Sequence, residues 1–150
     1  MRDAIKDLIE QFTGKSDFEG AYSDGVGVLQ GFFVVHSGID SVTPWPAKLY
    51  PYCYIEPTTY NYNAGQSGAG VQSLIIELGY QSPKNQPGQE FIRARGMQLV
   101  TWLRNIDKLR LPSIVRCNSD ISIEFQLGEK GGQVMRYAVL TCNIIVRDWD

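Results

Sequence analysis

Residues 121–147 read ISIEFQLGEKGGQVMRYAVLTCNIIVR and carry the clearest structural pattern of the chain. From Ile121 to Leu127, apolar and polar side chains alternate, which is the period of a strand with one buried face. The glycine-rich stretch 128–132 is typical of a hairpin turn. The returning strand, Val134 to Arg147, is apolar on both faces near its middle. We therefore expect it to lie centrally in a sheet or to contribute one face to another subunit.

Two other stretches have the period of an amphipathic helix. The first is predicted to end at Thr13-Gly14, because glycine adopts the left-handed turn after a helix at little cost. The second begins between Pro87 and Glu90 and extends to about Lys108, with Gly96 in its apolar stripe, where a strand can approach closely. In the first helix, the apolar side comprises Ile5, Leu8, Ile9 and Phe12, and the opposite side comprises Asp3, Lys6, Asp7 and Glu10.

The remaining segments predict a sheet with a glycine-rich extension. The apolar run within Val71 to Tyr80 indicates a central strand, whereas Pro51 places a strand over Lys48 to Glu56 at an edge. A loop without periodicity is expected over Asn61 to Gly70. Residues 15–46 form an arm or sheet extension that contains a strand or hairpin at Val26 to Val35. The fold class is therefore α+β: a mainly antiparallel sheet packed by two amphipathic helices, with a glycine-rich arm and a C-terminal β-hairpin.

Length and composition are those of one globular domain covering residues 1–150. Hydrophobic residues make up 43% of the chain and charged residues 20%, which supports a substantial core. The net charge of −2 gives no bulk electrostatic reason to bind nucleic acid or an anionic membrane. Neither a signal peptide nor a membrane span is apparent, and we expect no membrane association. Cys53, Cys117 and Cys142 lack metal-ligand spacing and are predicted to be buried free thiols.

Motifs that carry catalytic or metal-binding chemistry are absent or incomplete. Gly14-Lys15-Ser16 lacks the earlier glycine of a phosphate loop and follows a helix instead of a strand. His36 is the one histidine and has no recognised catalytic frame around it. The acidic residues between Asp17 and Asp24 lack the spacing of a calcium loop. We therefore predict no catalytic residue, no metal site and no cofactor.

Two surface patterns remain as candidates for binding. Trp45, Tyr50, Tyr52 and Tyr54 would form an aromatic row on a regular strand, which can stack on sugars or bases, although aromatic residues also favour strands in general. Arg93, Arg104 and Lys108 share one flank of the second helix at about 100° per residue. This basic ridge is either a solvated face or a contact with the acidic Asp148-Trp149-Asp150 segment of another subunit.

The order and size of these elements resemble the tail terminator proteins of long-tailed bacteriophages. The resemblance is carried by the helix at Ile5 to Phe12, the strand at Leu74 to Leu78, the helix at Phe91 to Ile106 and the two strands at Ile121 to Leu127 and Val134 to Val146. It implies a virion protein of the tail or neck, assembled in the host cytoplasm, that forms a hexameric ring. Such a ring caps the tail tube, stops its polymerisation and joins the tail to the head connector.

The resemblance also implies partners and contact surfaces instead of a catalytic site. The partners are further copies of the chain, the tail tube protein, the head-tail connector protein and, in a contractile tail, the sheath protein; DNA passes through the lumen without specific binding. The alternative is a carbohydrate- or small-ligand-binding module that uses the aromatic row. An enzyme would need His36, or a pair such as Glu56 and Glu77, to converge in a pocket. Expected interface residues are Val28, Phe32, Val34, Tyr62, Asn63, Arg93, Arg104, Lys108 and Trp149.

Overall fold

A computed structural model of the chain describes residues 4–15, 22–35, 50–62, 68–83, 88–130 and 132–148. The predictions for His36, Trp45, Asn63 and Trp149 lie outside the described residues. The elements are α1 (Ala4–Thr13), β1 (Tyr22–Asp24), a 3-10 helix (Gly27–Leu29), β2 (Phe33–Val35), β3 (Tyr52–Tyr62), β4 (Gly68–Pro83), α2 (Gln89–Arg104), a 3-10 helix (Ile106–Leu109), β5 (Ile114–Cys117), β6 (Ser122–Lys130) and β7 (Gln133–Asp148).

The described strands form one sheet in the order β1-β2-β3-β4-β7, with β5 and β6 both pairing with the far side of β7. All pairs are antiparallel except β2 with β3. The predicted α+β class with a mainly antiparallel sheet is confirmed. So are the central positions of β4 and β7, which pair with each other over 16 residues each.

The edge position predicted for β3 is wrong at its start, because β2 pairs with Tyr52–Tyr54 on the side opposite β4. Beyond Tyr54, β4 is the only described strand that pairs with β3, and Pro57 lies in this half-paired part, where a missing N–H costs least. The predicted loop over Asn61 to Gly70 is too long, since Asn61 and Tyr62 belong to β3 and residues 68–70 belong to β4.

Both helices pack on one face of the sheet and bury their apolar stripes there. Leu8 and Phe12 of α1 are fully buried, and Gly14 ends the helix with a positive φ of 69°, as predicted. Asp7 is not on a solvated side, which corrects the sequence prediction. It is buried and accepts a hydrogen bond from the Ser113 hydroxyl, because α1 lies against the loop that precedes β5.

Helix α2 crosses the sheet closely at Gly96, as its sequence predicts. A methyl group there would lie 3.4 Å from the Ala138 Cβ and 2.8 Å from the Ile123 Cδ1. The helix ends at Arg104, four residues earlier than predicted. Asn105 explains the end, because its side-chain amide donates to the Thr101 carbonyl and competes with a further helical turn. Lys108 therefore lies in the Ile106–Leu109 3-10 helix.

The described part of the predicted arm, residues 22–35, is packed against the body of the protein. Val34 and Val35 are fully buried. The Arg95 guanidinium on α2 donates to the carbonyls of Val28 and Gln30, at 3.1 and 2.8 Å, and lies over the Phe32 ring. These contacts join the segment to α2.

The three cysteines are free and buried, which confirms their prediction as buried apolar side chains. None of the described helices is long and apolar enough to cross a membrane.

Candidate functional site

The structure corrects the interface residues predicted in the 22–35 segment. Phe32 and Val34 are 1% and 0% exposed, so they belong to the core and offer no surface to a partner. Val28 is half-buried in a 3-10 helix, not in a strand, and packs against the core. The glycines around these residues suggested an exposed arm, but Arg95 holds the segment from a position more than sixty residues away.

The three cations of the predicted ridge are all exposed but do not form one cluster. Arg93 and Arg104 lie about 16 Å apart along α2 at 1.5 Å per residue. The Arg93 guanidinium lies 5.0 Å from the centre of the Phe125 ring, whereas Arg104 approaches the Ser119 carbonyl at the other end of the helix. Arg93 therefore lies apart from Arg104 and contacts the ring of Phe125.

The aromatic row predicted at Tyr50, Tyr52 and Tyr54 does not form a free stacking surface. Tyr50 precedes β3, and its ring meets the ring of Tyr52 edge to face at 5.1 Å. Tyr52 is 4% exposed, and its hydroxyl donates a 2.6 Å hydrogen bond to the Glu77 carboxylate. Burial, followed by this hydrogen bond, raises the pKa of Tyr52. The central residue of the row is thus part of the packed structure.

Three tyrosines instead cover glycines of neighbouring elements. A methyl group on Gly79 would lie 2.2 Å from the Tyr52 ring. A methyl group on Gly70 would lie 2.3 Å from Tyr60, and one on Gly88 would lie 2.4 Å from Tyr80. Each ring occupies the space that a side chain would fill. For Gly70 and Gly79, which lie in β4, this is a known way to support glycine in a strand. The tyrosine content of the chain is explained in part by this packing.

The carboxylate pair considered for an enzyme lies on the sheet face that faces away from the helices. The register Glu56↔Ile75 and Tyr54↔Glu77 makes Glu56 and Glu77 diagonal neighbours, and Glu77 is engaged by Tyr52. Neither of them lines the two concave sites described below. Among the residues the structure describes, no group of three or more His, Cys, Asp or Glu side chains could hold a metal ion.

Two thiols on neighbouring strands interact in the core. Cys117 of β5 and Cys142 of β7 are hydrogen-bonded to each other, and this bond lowers the pKa of Cys117 and raises that of Cys142. Burial raises the pKa of Cys53, which lies apart from the pair. The sequence spacing of the cysteines gives no sign of this pairing, since it depends on the register of β5 against β7.

A groove that no sequence pattern indicated lies between the first turns of α2 and the strands β6 and β7. It has a volume of about 240 Å³ and is lined by side chains that include Ile92, Arg93, Phe125, Leu127 and Arg136. Exposure rises along β6 away from the middle of α2: Phe125 is 37% exposed and Leu127 is 64% exposed. The alternation of β6 correctly placed these two residues on the helix-facing side, but the point at which α2 stops covering that side was not predictable.

A second concave site lies between β5 and the Ile106–Leu109 3-10 helix and is lined by Arg110, Pro112, Val115 and Arg147, among others. Arg147 is committed there, since its guanidinium donates to the carbonyls of Leu111, Pro112 and Ile114 at 3.1 to 3.3 Å. The hydrogen bonds of Arg147 therefore hold the end of β7 against the chain at the start of β5.

Tyr62, a predicted interface residue at the end of β3, is exposed over 68% of its surface, and its ring lies against that of Tyr60. Models of known protein families do not match the chain, and no curated protein is significantly similar to it. The function is therefore argued from the geometry of the described surfaces.

Proposed function

We propose that this chain is a structural virion protein that acts as a phage tail terminator. It forms a ring that caps the tail tube, stops its polymerisation and joins the tail to the head connector. The observation that carries the proposal is two long open strand edges on opposite sides of the sheet; within the described ranges, β1 and β5 are also paired on one side only, but they have just three and four residues. Among the described residues, β6 along its length and β3 beyond Tyr54 have a strand on one side only. Open edges pair readily with another chain.

Exposed apolar side chains at both edges support the same function. Leu127 and Phe125 lie on β6, and Tyr62 lies at the end of β3. Large apolar residues that remain exposed in one copy are those that a contact between copies would bury. Because the two edges are different surfaces on opposite sides of the sheet, a contact between them is heterologous and can close into a ring.

The finer parts of the assembly belong to the same proposal. The β6-β7 hairpin presents the Leu127 edge to a neighbouring copy. Six copies close the ring, whose faces meet the tube protein on one side and the head connector on the other, with the sheath protein outside in a contractile tail. The net charge of −2 suits a lumen through which DNA passes without being gripped. No catalytic residue or cofactor is required.

The test is the mass of the purified chain by light scattering at several concentrations, combined with electron microscopy of the particles. The expected result is a hexamer, or a concentration-dependent approach to one, and ring-shaped particles. Adding the ring to the tail tube protein of the same virus should shorten and cap the tubes. A monomer at every concentration that also leaves tube length unchanged would refute the proposal.

The carbohydrate-binding alternative is not favoured by a specific observation. Tyr52, on which it depends, is buried and bonded to Glu77, which leaves Tyr50 and Tyr54 without their central member.

A further inference from the structure

The groove at the N-terminal end of α2 combines an apolar floor with two cationic groups. Phe125 and Leu127 are exposed, Ile92 is buried beneath them, and Arg93 and Arg136 are the charged residues of its lining. The Nε atom of Arg136 is buried and has no hydrogen-bond partner among the described residues. A buried donor destabilises the protein while it is unpaired. The groove therefore suits an occupant with an apolar body and anionic groups beside it.

We infer that this groove binds the Asp148-Trp149-Asp150 segment of a second copy of the chain. The segment places one indole between two carboxylates. An indole matches the apolar floor and would lie beside Arg93, which already stacks over Phe125 at 5.0 Å. The flanking carboxylates match the two guanidinium groups, because arginine binds carboxylates through paired N–H donors. This inference rests on the proposed function, since it names one contact through which the copies assemble.

The segment cannot reach the groove of its own chain. Arg136 lies near the start of β7 and Asp148 at its end, so the two are about 40 Å apart at about 3.3 Å per strand residue. Trp149 and Asp150 extend the chain by at most about 7 Å beyond Asp148. The groove and Asp148 therefore lie at opposite ends of the same strand, and a second copy has to supply the occupant.

The experiment compares the full chain with two variants, Trp149→Ala in the segment and Leu127→Ser in the groove. Light scattering over a dilution series gives the concentration at which each protein dissociates. Leu127 is 64% exposed, so its replacement spares the core, and circular dichroism checks that both variants are folded. The matched control is Leu109→Ser, which also removes an exposed leucine but lies outside the groove.

Each variant alone should dissociate at a concentration at least tenfold higher than the unmodified chain, and Leu109→Ser should not. A mixture of the two variants retains one intact groove and one intact segment, and it should form a 1:1 complex that does not grow further. If the unmodified chain assembles and either groove or segment variant assembles equally well, this inference fails while the proposed ring survives. A dissociation by Leu109→Ser equal to that of Leu127→Ser would also overturn it. An unmodified chain that stays monomeric at every concentration would overturn this inference, and the proposed function fails with it only if that chain also leaves the length of the tail tubes unchanged.

Discussion

Replacing Gly79 with alanine should destabilise the protein through Tyr52. The new methyl group would lie 2.2 and 2.4 Å from two ring atoms, so the ring has to retract by about 1 Å to restore ordinary contact. The hydrogen bond to the Glu77 carboxylate is then lost, at a cost of about 1.5–3 kcal/mol. Exposing roughly 50 Å² of the ring costs about 1 kcal/mol more. Alanine in a strand returns about 0.5–1 kcal/mol relative to glycine.

The net loss in the free energy of unfolding is about 2–3 kcal/mol, which lowers the urea midpoint by roughly 1 M at a typical slope of about 2 kcal/mol per M. The matched control is Gly128→Ala, also in a strand, where the methyl group would lie 3.5 Å from Tyr137 and 3.7 Å from Met135. Its midpoint should stay the same or rise slightly. A Gly79→Ala midpoint equal to or above that of the unmodified protein would show that Tyr52 does not depend on the space above Gly79.

Three further predictions concern single side chains. Arg95→Ala should lower the free energy of unfolding by about 1–3 kcal/mol, because it removes two hydrogen bonds to backbone carbonyls. Amide hydrogen exchange in residues 22–35 should become faster, and unchanged exchange there would contradict the role of Arg95. At pH 8 to 9, iodoacetamide should modify Cys117 before Cys53, because the neighbouring thiol lowers the pKa of Cys117 and burial raises the pKa of Cys53. Peptide mass spectrometry reports the order of modification, and equal rates would contradict this prediction. The pKa of Tyr137 is raised to about 12 by burial and then by its neighbour Tyr50. This folded-state pKa exceeds the unfolded value of about 10, so the neutral phenol of Tyr137 stabilises the folded protein fully below pH 10, and this stabilisation is lost between pH 10 and 12. The urea midpoint of Tyr137→Phe should therefore fall less over that range than the midpoint of the unmodified protein.

The parts of the fold that were predicted depend on local periodicity. The alternation from Ile121 to Leu127 predicted the strand β6 and its apolar side, which faces the helices although Phe125 and Leu127 stay exposed there, and the stripe containing Gly96 predicted a helix that packs closely on a strand. Both follow from side chains a few residues apart. By contrast, Asp7 appears solvent-exposed on a helical wheel, and its burial depends on Ser113, which is 106 positions away in the chain.

The errors at the candidate site have the same cause, because they concern contacts between residues that are distant in the chain. Phe32 and Val34 were expected on an exposed arm because glycines surround them, yet both are buried: Phe91 and Arg95 of α2 cover Phe32, and Val34 lies in β2 between β1 and β3. The tyrosines near β3 were expected to form a row, but Tyr52 turns to cover Gly79 on the neighbouring strand. The groove was missed because it requires the register of β6 against β7 and the position of the first turn of α2, neither of which is encoded in a local pattern.

The distance between the groove and the Asp148-Trp149-Asp150 segment limits the assemblies that the contact can build. Two surfaces about 40 Å apart on one copy bind complementary surfaces on two different neighbours unless two copies lie antiparallel. A head-to-tail contact of this kind closes into a ring only when the rotation from one copy to the next divides a full turn; otherwise it continues as an open filament. A protein that stops the growth of a tube needs the closed outcome. The measured mass of the assembly therefore tests the rotation between copies as well as their contact: a dimer would indicate the antiparallel arrangement, and a defined larger mass the closed ring.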